Sequence, residues 1–290
     1  MKNVIFSFHA KIEDNQTRKE SYFLDDTINK SDRTHLQFTK YKQRLIDCKK
    51  KYAEQCDADF IFYDTIEKQF LNDQFDSINF YKHYLIKQLC QKYDNVLYLD
   101  FDVIPNTTQS FFTQHDMNKI NVFAVNSTKQ NVWTSEAKLS RHDYAKTMRI
   151  HFGRYHMYCK AVCKLAMLSV DNIYNNDYHI ANTGIIGGSA ESLQKVDVID
   201  TLDLCIDKLQ QAKKENMFGD ELTEYFFPNN EVFFSYLLEK NNIIWHNLAP
   251  AWHTVIYRTR KQTIYDTKLL IKNANMVHMI GKDFGIMLND

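Results

Sequence analysis

Two aspartates separated by one residue, Asp100 and Asp102, directly follow the apolar run Val96–Leu99. Two carboxylates this close repel each other, and their burial is unfavourable unless a positive charge lies nearby. A divalent cation that prefers hard oxygen ligands, such as Mg²⁺ or Mn²⁺, would remove the repulsion and could bind phosphate oxygens in turn. The alternative is that both aspartates only cap a turn, because Asp-x-Asp alone is a common pattern.

The apolar residues around these aspartates predict alternating strands and helices. Strand, helix, strand, helix and strand in succession are typical of a parallel α/β sheet. Ligands of such sheets bind at the carboxyl ends of the strands, which is where Asp100 and Asp102 stand. The predicted strands are 4–8, 59–63, 96–99, 120–125, 180–188 and 243–245, and the predicted helices are 36–56, 77–92, 136–170, 190–214 and 230–240.

Polar and aromatic residues also end the first two predicted strands. Ser7, Phe8 and His9 close the first strand, and Asp64 follows the second. In a nucleotide-binding α/β fold this edge meets the base and ribose. Phe8 could stack on a base, while Ser7, His9 or Asp64 could form hydrogen bonds to the nucleotide. Core packing for Phe8 and turn formation for the polar residues are equally open.

Composition excludes several classes of protein. The 290 residues include 36 Lys and Arg against 36 Asp and Glu, and 44% are hydrophobic. A disordered chain would be less hydrophobic, and zero net charge disfavours non-specific binding to nucleic acid or an anionic membrane. No apolar run is long enough for a signal peptide or membrane span. We therefore expect a soluble, cytoplasmic protein.

The cysteines and histidines of the middle region allow a second metal hypothesis. Cys159 and Cys163 are one helical turn apart, with His151 and His156 upstream. The spacing is not that of a zinc finger or ribbon, so reduced thiols that pack in helices are preferred. Basic residues here could line an acceptor cleft, although a solvated helix face is the better interpretation; they are Arg141, His142, His151, Arg154 and His156.

The segment Tyr93–Pro105, which contains Val-Leu-Tyr-Leu-Asp-Phe-Asp, resembles the DXD region of GT-A fold glycosyltransferases. The segment Asn182-Thr-Gly184 resembles their Asn-(Ser/Thr)-Gly strand, which lies beside the donor sugar. The segment His278-x-x-Gly281-Lys282 is similar to a late motif of the glycogenin-like and galactosyltransferase-like retaining families. The resemblance implies an α/β GT-A fold with a mixed, mainly parallel central sheet flanked by helices. It also implies one catalytic domain over 1–290, with a nucleotide-sugar-binding half at 1–130 and an acceptor half at 131–290.

The resemblance also assigns roles to residues. His278 would complete a metal site with Asp100 and Asp102, and Lys282 would contact the diphosphate. Gly281 lacks a Cβ, so its backbone could approach phosphate closely. Lys82 would face the nucleotide-sugar, and Asn182 and Gly184 would lie against the donor sugar.

Glu231 opens a predicted helix, where the helix dipole favours a carboxylate. It could be a general base on the acceptor hydroxyl, as inverting transfer requires, or it could hold a donor-sugar hydroxyl. Trp252 and His253 could form a stacking wall for an acceptor sugar, although core packing is expected of at least one of them.

The expected function is metal-dependent transfer of a sugar from a nucleoside diphosphate sugar, most simply a UDP-sugar, to an acceptor hydroxyl with retention. The cofactor would be Mn²⁺ or Mg²⁺, and the acceptor a glycan, glycoconjugate or protein. Alternatives are an inverting transferase that uses Glu231 and a sugar-nucleotide nucleotidyltransferase. The latter would be expected to carry a glycine-rich loop after the first strand, where this chain has none. A non-catalytic sugar- or nucleotide-binding protein is a third alternative.

Overall fold

The structure is a computed structural model that describes residues 1–10, 30–67, 70, 77–126, 157–217, 228–256 and 264–288. The chain forms two compact units. The first comprises Met1–Phe123, Thr183–Gln194 and Trp245–Asp290, and the second comprises Ala124–Asn182 and Lys195–Ile244. The expected nucleotide-binding and acceptor halves, divided at residue 130, stay a prediction.

Strands and helices alternate through the first part of the chain, as the apolar pattern predicts. The strands are β1 (Asn3–Phe8), β2 (Asp59–Tyr63), β3 (Asn95–Leu99), β4 (Val103–Pro105), β5 (Ile120–Asn126), β6 (His179–Ser189), β7 (Trp245–Asn247), β8 (Thr254–Val255) and β9 (Met276–His278). The helices are α1 (Lys30–Gln55), α2 (Ser77–Leu89), α3 (Phe111–Gln114), α4 (157–170), α5 (Ala190–Gln194), α6 (Leu202–Lys214), α7 (Asn230–Lys240) and α8 (Ile264–Lys272). Short 3-10 turns lie at Pro250–His253 and Phe284–Ile286.

The central sheet has six strands in the order β2-β1-β3-β6-β5-β7. Strand β1 pairs in parallel with both β2 and β3, and β5 pairs in parallel with β7. Strand β6 runs antiparallel to β3. A mixed, mainly parallel sheet flanked by helices was expected, and this part of the prediction is confirmed.

Apolar burial explains why β1 and β3 lie inside the sheet. Every residue of β3 is buried, as are the last five residues of β1. A strand that is buried on both faces has a nearly continuous apolar sequence, and β1 and β3 both have such a sequence. The carboxyl end of β3, which Asp100 directly follows, is therefore fixed in place by core packing.

Close packing also explains one of the glycines in β6. A Cβ at Gly187 would lie 2.4 Å from a ring carbon of Phe111 and 3.3 Å from a side-chain carbon of Leu97. Phe111 is itself fully buried. Glycine at 187 therefore admits the Phe111 ring against the sheet, a packing role rather than a ligand contact.

A small second sheet joins distant segments of the chain. Its order is β4-β9-β8. Strand β4 directly follows Asp102 and pairs antiparallel with β9, which places Val103 opposite His278. This pairing brings the late histidine beside the two aspartates.

The single helix predicted at 190–214 is wrong, because the chain bends between α5 and α6. Asp197 has a positive φ of 37°, and its Oδ1 accepts a hydrogen bond from the backbone N–H of Asp200 at 3.2 Å. An aspartate that bonds to nearby backbone in this way competes with the helix. Helix α1 also begins earlier than predicted, at Lys30, and β7 lies two residues later than predicted.

The six cysteines are free thiols, as expected, and five of them are buried. Burial raises the pKa of the Cys163 thiol. Across the described residues, every helix is too short or too polar to cross a membrane.

Candidate metal centre

The side chains of Asp100, Asp102 and His278 converge at the carboxyl end of β3. One ligand atom from each lies within 4.8 Å of the others. Among the residues that the structure describes, this is the one group of three acidic, histidine or cysteine side chains with such geometry. Two carboxylate oxygens and an imidazole nitrogen form a donor set that suits Mn²⁺. The two predicted ligands at 100 and 102 and the third at 278 are thus brought together.

Asp102 is buried and faces the side chains of His278 and Lys282. Its Oδ1 lies 3.4 Å from Nε2 of His278, and its Oδ2 accepts a hydrogen bond from Nζ of Lys282. Burial raises the pKa of this carboxyl, but the charges of Lys282 and His278 outweigh burial and hold its pKa well below the usual range. Asp102 is therefore ionised, which is the form that binds a cation.

Asp100 is held by three groups and remains partly exposed. Its Oδ1 lies 3.1 Å from the buried Nζ of Lys82 and also accepts a hydrogen bond from the Tyr98 hydroxyl. Its backbone N–H donates to the carbonyl of Gly184 at 2.8 Å. The ammonium of Lys82 also donates to the carbonyl of Thr183 at 3.2 Å. Lys82 and Gly184, both predicted near the donor, thus position Asp100 in this structure.

Lys49 holds the turn between the two aspartates, a role that the sequence interpretation missed. It is fully buried, and its Nζ donates to the carbonyl of Phe101 at 2.9 Å and to that of Leu45 at 3.4 Å. Burial lowers the pKa of this amine. Helical spacing could have predicted the burial of Lys49. It lies one helical turn after Leu45 and three residues before Tyr52, and both of these residues are on the buried, apolar face of α1.

Gly281 and Lys282 form the turn that follows β9. The backbone N–H of Lys282 donates to the carbonyl of Met279 at 2.8 Å, and that of Met279 donates to the carbonyl of Asp102 at 2.9 Å. Lys282 has a φ of 56°, a left-handed conformation that costs a non-glycine residue about 1–2 kcal/mol. In this conformation the Lys282 ammonium reaches Oδ2 of Asp102.

His253, weighed in the sequence as an acceptor-stacking residue, lies instead behind the ligand set. It is buried, and its Nε2 is 2.8 Å from Nδ1 of His278. Burial and the neighbouring His278 hold the pKa of His253 well below its usual range. Trp252 packs edge-to-face against Phe111, with ring centroids 5.7 Å apart. Core packing was the expectation for at least one of this pair, and Trp252 meets it.

His9 stacks on the ring of Phe101, the residue between the aspartates. The centroids are 4.8 Å apart and the rings are nearly parallel, at 4°. Burial, followed by the charges of Lys42, His35 and Lys282, lowers the pKa of His9 to about 4. His9 is therefore neutral and packs on the aspartate turn, while its contact with a nucleotide stays a prediction.

The other strand-end residues, Ser7, Phe8 and Asp64, lie in the first unit, where Phe8 and Asp64 contact side chains of α2 and α1. Phe8 packs against Tyr81, with centroids 5.6 Å apart, and Asp64 pairs with Lys42 at 3.7 Å. Ser7 is fully buried, and its Oγ has no hydrogen-bond partner in the described part of the chain. Contacts of these three residues with a base or ribose stay predictions.

Asn182 and Glu231 belong to the second unit. Asn182 lies in β6, one residue before the segment that enters the first unit. Glu231 stands in the first turn of α7, whose Asn229 cap accepts hydrogen bonds from the backbone N–H of Glu231 and Val232. The Glu231 carboxylate pairs with Nζ of Lys160. Their predicted sugar-contacting and base roles stay predictions.

The basic and histidine-bearing stretch that could line an acceptor cleft or hold zinc lies outside the described residues; its members are Arg141, His142, His151, Arg154 and His156.

Comparison with known families identifies the protein. The sequence model of glycosyl transferase family 8 matches residues 3–153, more than half of the chain. The chain belongs to glycosyl transferase family 8. It is therefore a glycosyltransferase, and the aspartate pair of this family 8 chain lies within the matched residues. No curated protein matches it.

Solved structures similar to this family 8 chain include other glycosyltransferases. One is involved in glycosylation of the major capsid of PBCV-1, with 14% identity, a TM-score of 0.46 and coverage of 99% of this chain and 98% of that chain. The bifunctional WbbM has 12% identity, a TM-score of 0.42 and coverage of 97% and 46%. Mouse xyloside xylosyltransferase 1 has 10% identity, a TM-score of 0.38 and coverage of 97% and 98%.

Proposed function

We propose that this family 8 glycosyltransferase transfers a sugar from a nucleoside diphosphate sugar, a UDP-sugar in the first instance, to an acceptor hydroxyl with retention. The observation that carries the proposal is the convergence of Asp100, Asp102 and His278. Two adjacent carboxylates and an imidazole brought from a distant strand are not needed to close a turn. They suit a divalent cation that binds a diphosphate.

The donor set fits Mn²⁺ or Mg²⁺. Asp100, Asp102 and His278 would hold the ion, and when bound it would stabilise the negative charge that builds on the leaving diphosphate. Asp102 is already ionised, and the hydrogen bonds of Lys82 and Tyr98 fix the orientation of Asp100. The ligands are therefore held in place by the chain itself.

Lys282 supplies the positive charge for the diphosphate in this proposal. In the structure its Nζ is paired with Asp102, a contact that a metal ion at Asp102 would compete for. A lysine ammonium is a compact point charge that suits phosphate. We infer that Lys282 leaves Asp102 for the diphosphate when cation and donor bind together.

Retention is supported by the late His-x-x-Gly-Lys segment. If configuration is retained, the leaving phosphate can accept the acceptor proton, and no dedicated base is needed. Glu231 is engaged by Lys160 within the second unit, an arrangement that suits holding a hydroxyl as well as it suits a base. Inverting transfer with Glu231 as the base remains the alternative to be tested.

The function is tested by measuring UDP or GDP release from a panel of UDP- and GDP-sugars with and without Mn²⁺. Release from at least one donor should require the cation, and Asp102→Asn should abolish it. The matched control is Asp116→Asn, which changes an exposed carboxylate paired with Lys119 and should release nucleotide at the wild-type rate. Metal-independent release that survives Asp102→Asn would contradict the proposal.

Stereochemistry is tested separately by NMR of the first product formed. A product with the anomeric configuration of the donor supports retention, and wild-type turnover by Glu231→Gln would agree with it. An inverted product together with an inactive Glu231→Gln would establish the alternative.

A further inference from the structure

A second histidine lies directly behind the proposed metal ligand His278. Nε2 of His253 is 2.8 Å from Nδ1 of His278, and only 1% of His253 is exposed. His253 ends the 3-10 turn that directly precedes β8, and His278 ends β9. Strand β8 pairs with β9, and the backbone N–H of Ile256 donates to the carbonyl of His278 at 2.9 Å. The contact is therefore built into the backbone arrangement.

The direction of this hydrogen bond decides what His278 can bind. A neutral imidazole has one N–H donor and one lone-pair acceptor. When Nε2 of His278 uses its lone pair for a cation, the ring hydrogen must be on Nδ1 and point at His253. Nε2 then faces Oδ1 of Asp102 at 3.4 Å and Oδ2 of Asp100 at 3.9 Å.

The other ring nitrogen of His253 shows that packing alone does not account for this residue. Nδ1 is buried and has no hydrogen-bond partner within the described residues. The ring centroids of His253 and Phe123 are 5.2 Å apart. A buried polar atom without a partner costs about 1–3 kcal/mol. Leucine or phenylalanine would avoid that penalty, so the imidazole is explained by its one polar contact, with His278.

We propose that His253 is a positioning residue: it accepts a hydrogen bond from Nδ1 of His278 and thereby holds Nε2 of His278 toward Asp100 and Asp102, where the cation would bind. The proposal rests on the metal dependence of the proposed function. Partners of this kind orient a metal-binding histidine, and their loss typically lowers metal affinity about 10–100-fold.

The test is binding of Mn²⁺ alone to the full chain. Binding is measured as the loss of the free Mn²⁺ signal in electron paramagnetic resonance. His253→Leu, which removes the acceptor, should weaken Mn²⁺ binding about 10–100-fold. His253→Gln, whose Oε1 can accept the same hydrogen bond, should stay within about threefold of wild type. The matched control is His246→Leu, which removes an exposed histidine bonded to Asn121 and should leave Mn²⁺ affinity unchanged.

The outcomes separate the two proposals. A wild-type chain that does not bind Mn²⁺ or Mg²⁺ overturns the metal-dependent function, and the role of His253 with it. A wild-type chain that binds Mn²⁺ while His253→Leu binds equally well overturns only the role of His253. Equal losses in the Leu and Gln variants would assign the effect to packing and would also overturn that role.

A second measurement needs no variant. NMR of nitrogen-labelled histidine in the wild-type chain loaded with Mg²⁺ should find the ring hydrogen of His278 on Nδ1. A ring hydrogen on Nε2 in the loaded protein would refute the proposed orientation whether or not the variants fold.

Discussion

Replacing Lys282 with methionine should change the binding of metal and of nucleotide in opposite directions. In the structure Nζ of Lys282 is paired with Oδ2 of Asp102, one of the proposed ligand atoms. A metal ion that binds Asp102 must first displace this ammonium, which the methionine variant lacks. Methionine is unbranched like lysine, so the strain of the positive φ at this position is similar in both proteins.

The size of the effect follows from the electrostatics of the pair. Two unit charges about 4 Å apart interact by about 4 kcal/mol at an effective dielectric constant of about 20. The side chain of Lys282 is 21% exposed, and the displaced ammonium regains hydration. We therefore expect a net gain for Mn²⁺ alone of about 2 kcal/mol, or roughly 30-fold in affinity. Loss of a charged donor to the diphosphate should weaken UDP binding by about 1.5–3 kcal/mol.

The assay is a pair of titrations on the purified chain. Mn²⁺ is titrated without nucleotide, and UDP is titrated by calorimetry at saturating Mn²⁺. Lys119→Met serves as the control, because the side chain of Lys119 is 44% exposed and pairs with Asp116, an aspartate outside the centre. Metal and nucleotide affinities that fall together, or a Mn²⁺ affinity that does not change, would refute the proposed competition.

Three further predictions concern stability and can be checked by urea denaturation. Gly187→Ala forces a Cβ against the buried Phe111 ring at 2.4 Å, so it should lower the unfolding free energy by about 1–3 kcal/mol; an unchanged midpoint would contradict that packing. Lys164 is fully buried and paired with Glu239, so Lys164→Met should cost about 3 kcal/mol, and a stabilised variant would show the pair to be dispensable. Burial, with a smaller contribution from His246, lowers the pKa of His115 to about 4. The unfolded chain therefore binds this proton first as the pH falls below about 6.5, and stability is lost toward pH 4. His115→Leu should reduce that loss by on the order of 1 kcal/mol, and an identical pH profile would argue against a neutral, buried His115.

Local pattern was sufficient to predict most elements and the fold class. Strand β2 and helix α7 have the predicted bounds, because each contains a run of apolar residues that polar turn or capping residues bound on both sides. The break between α5 and α6 escaped prediction, since the apolar pattern continues through Asp197 while its carboxylate accepts a hydrogen bond from the backbone N–H of Asp200. Such a turn depends on short-range hydrogen bonds that apolar periodicity does not record.

The sequence by itself determined the identity of the acidic pair and its place after a buried strand. Residue types and spacing are local properties, so Asp100 and Asp102 could be chosen without coordinates. A resemblance was needed to suggest His278. Only the tertiary structure decided that His278 meets the pair, because the β4–β9 pairing joins segments far apart in the chain. It alone revealed Lys49 and His253 as supports of the centre. Helical spacing places Lys49 on the apolar face of α1, but no local pattern specifies which distant residues a buried lysine or histidine contacts.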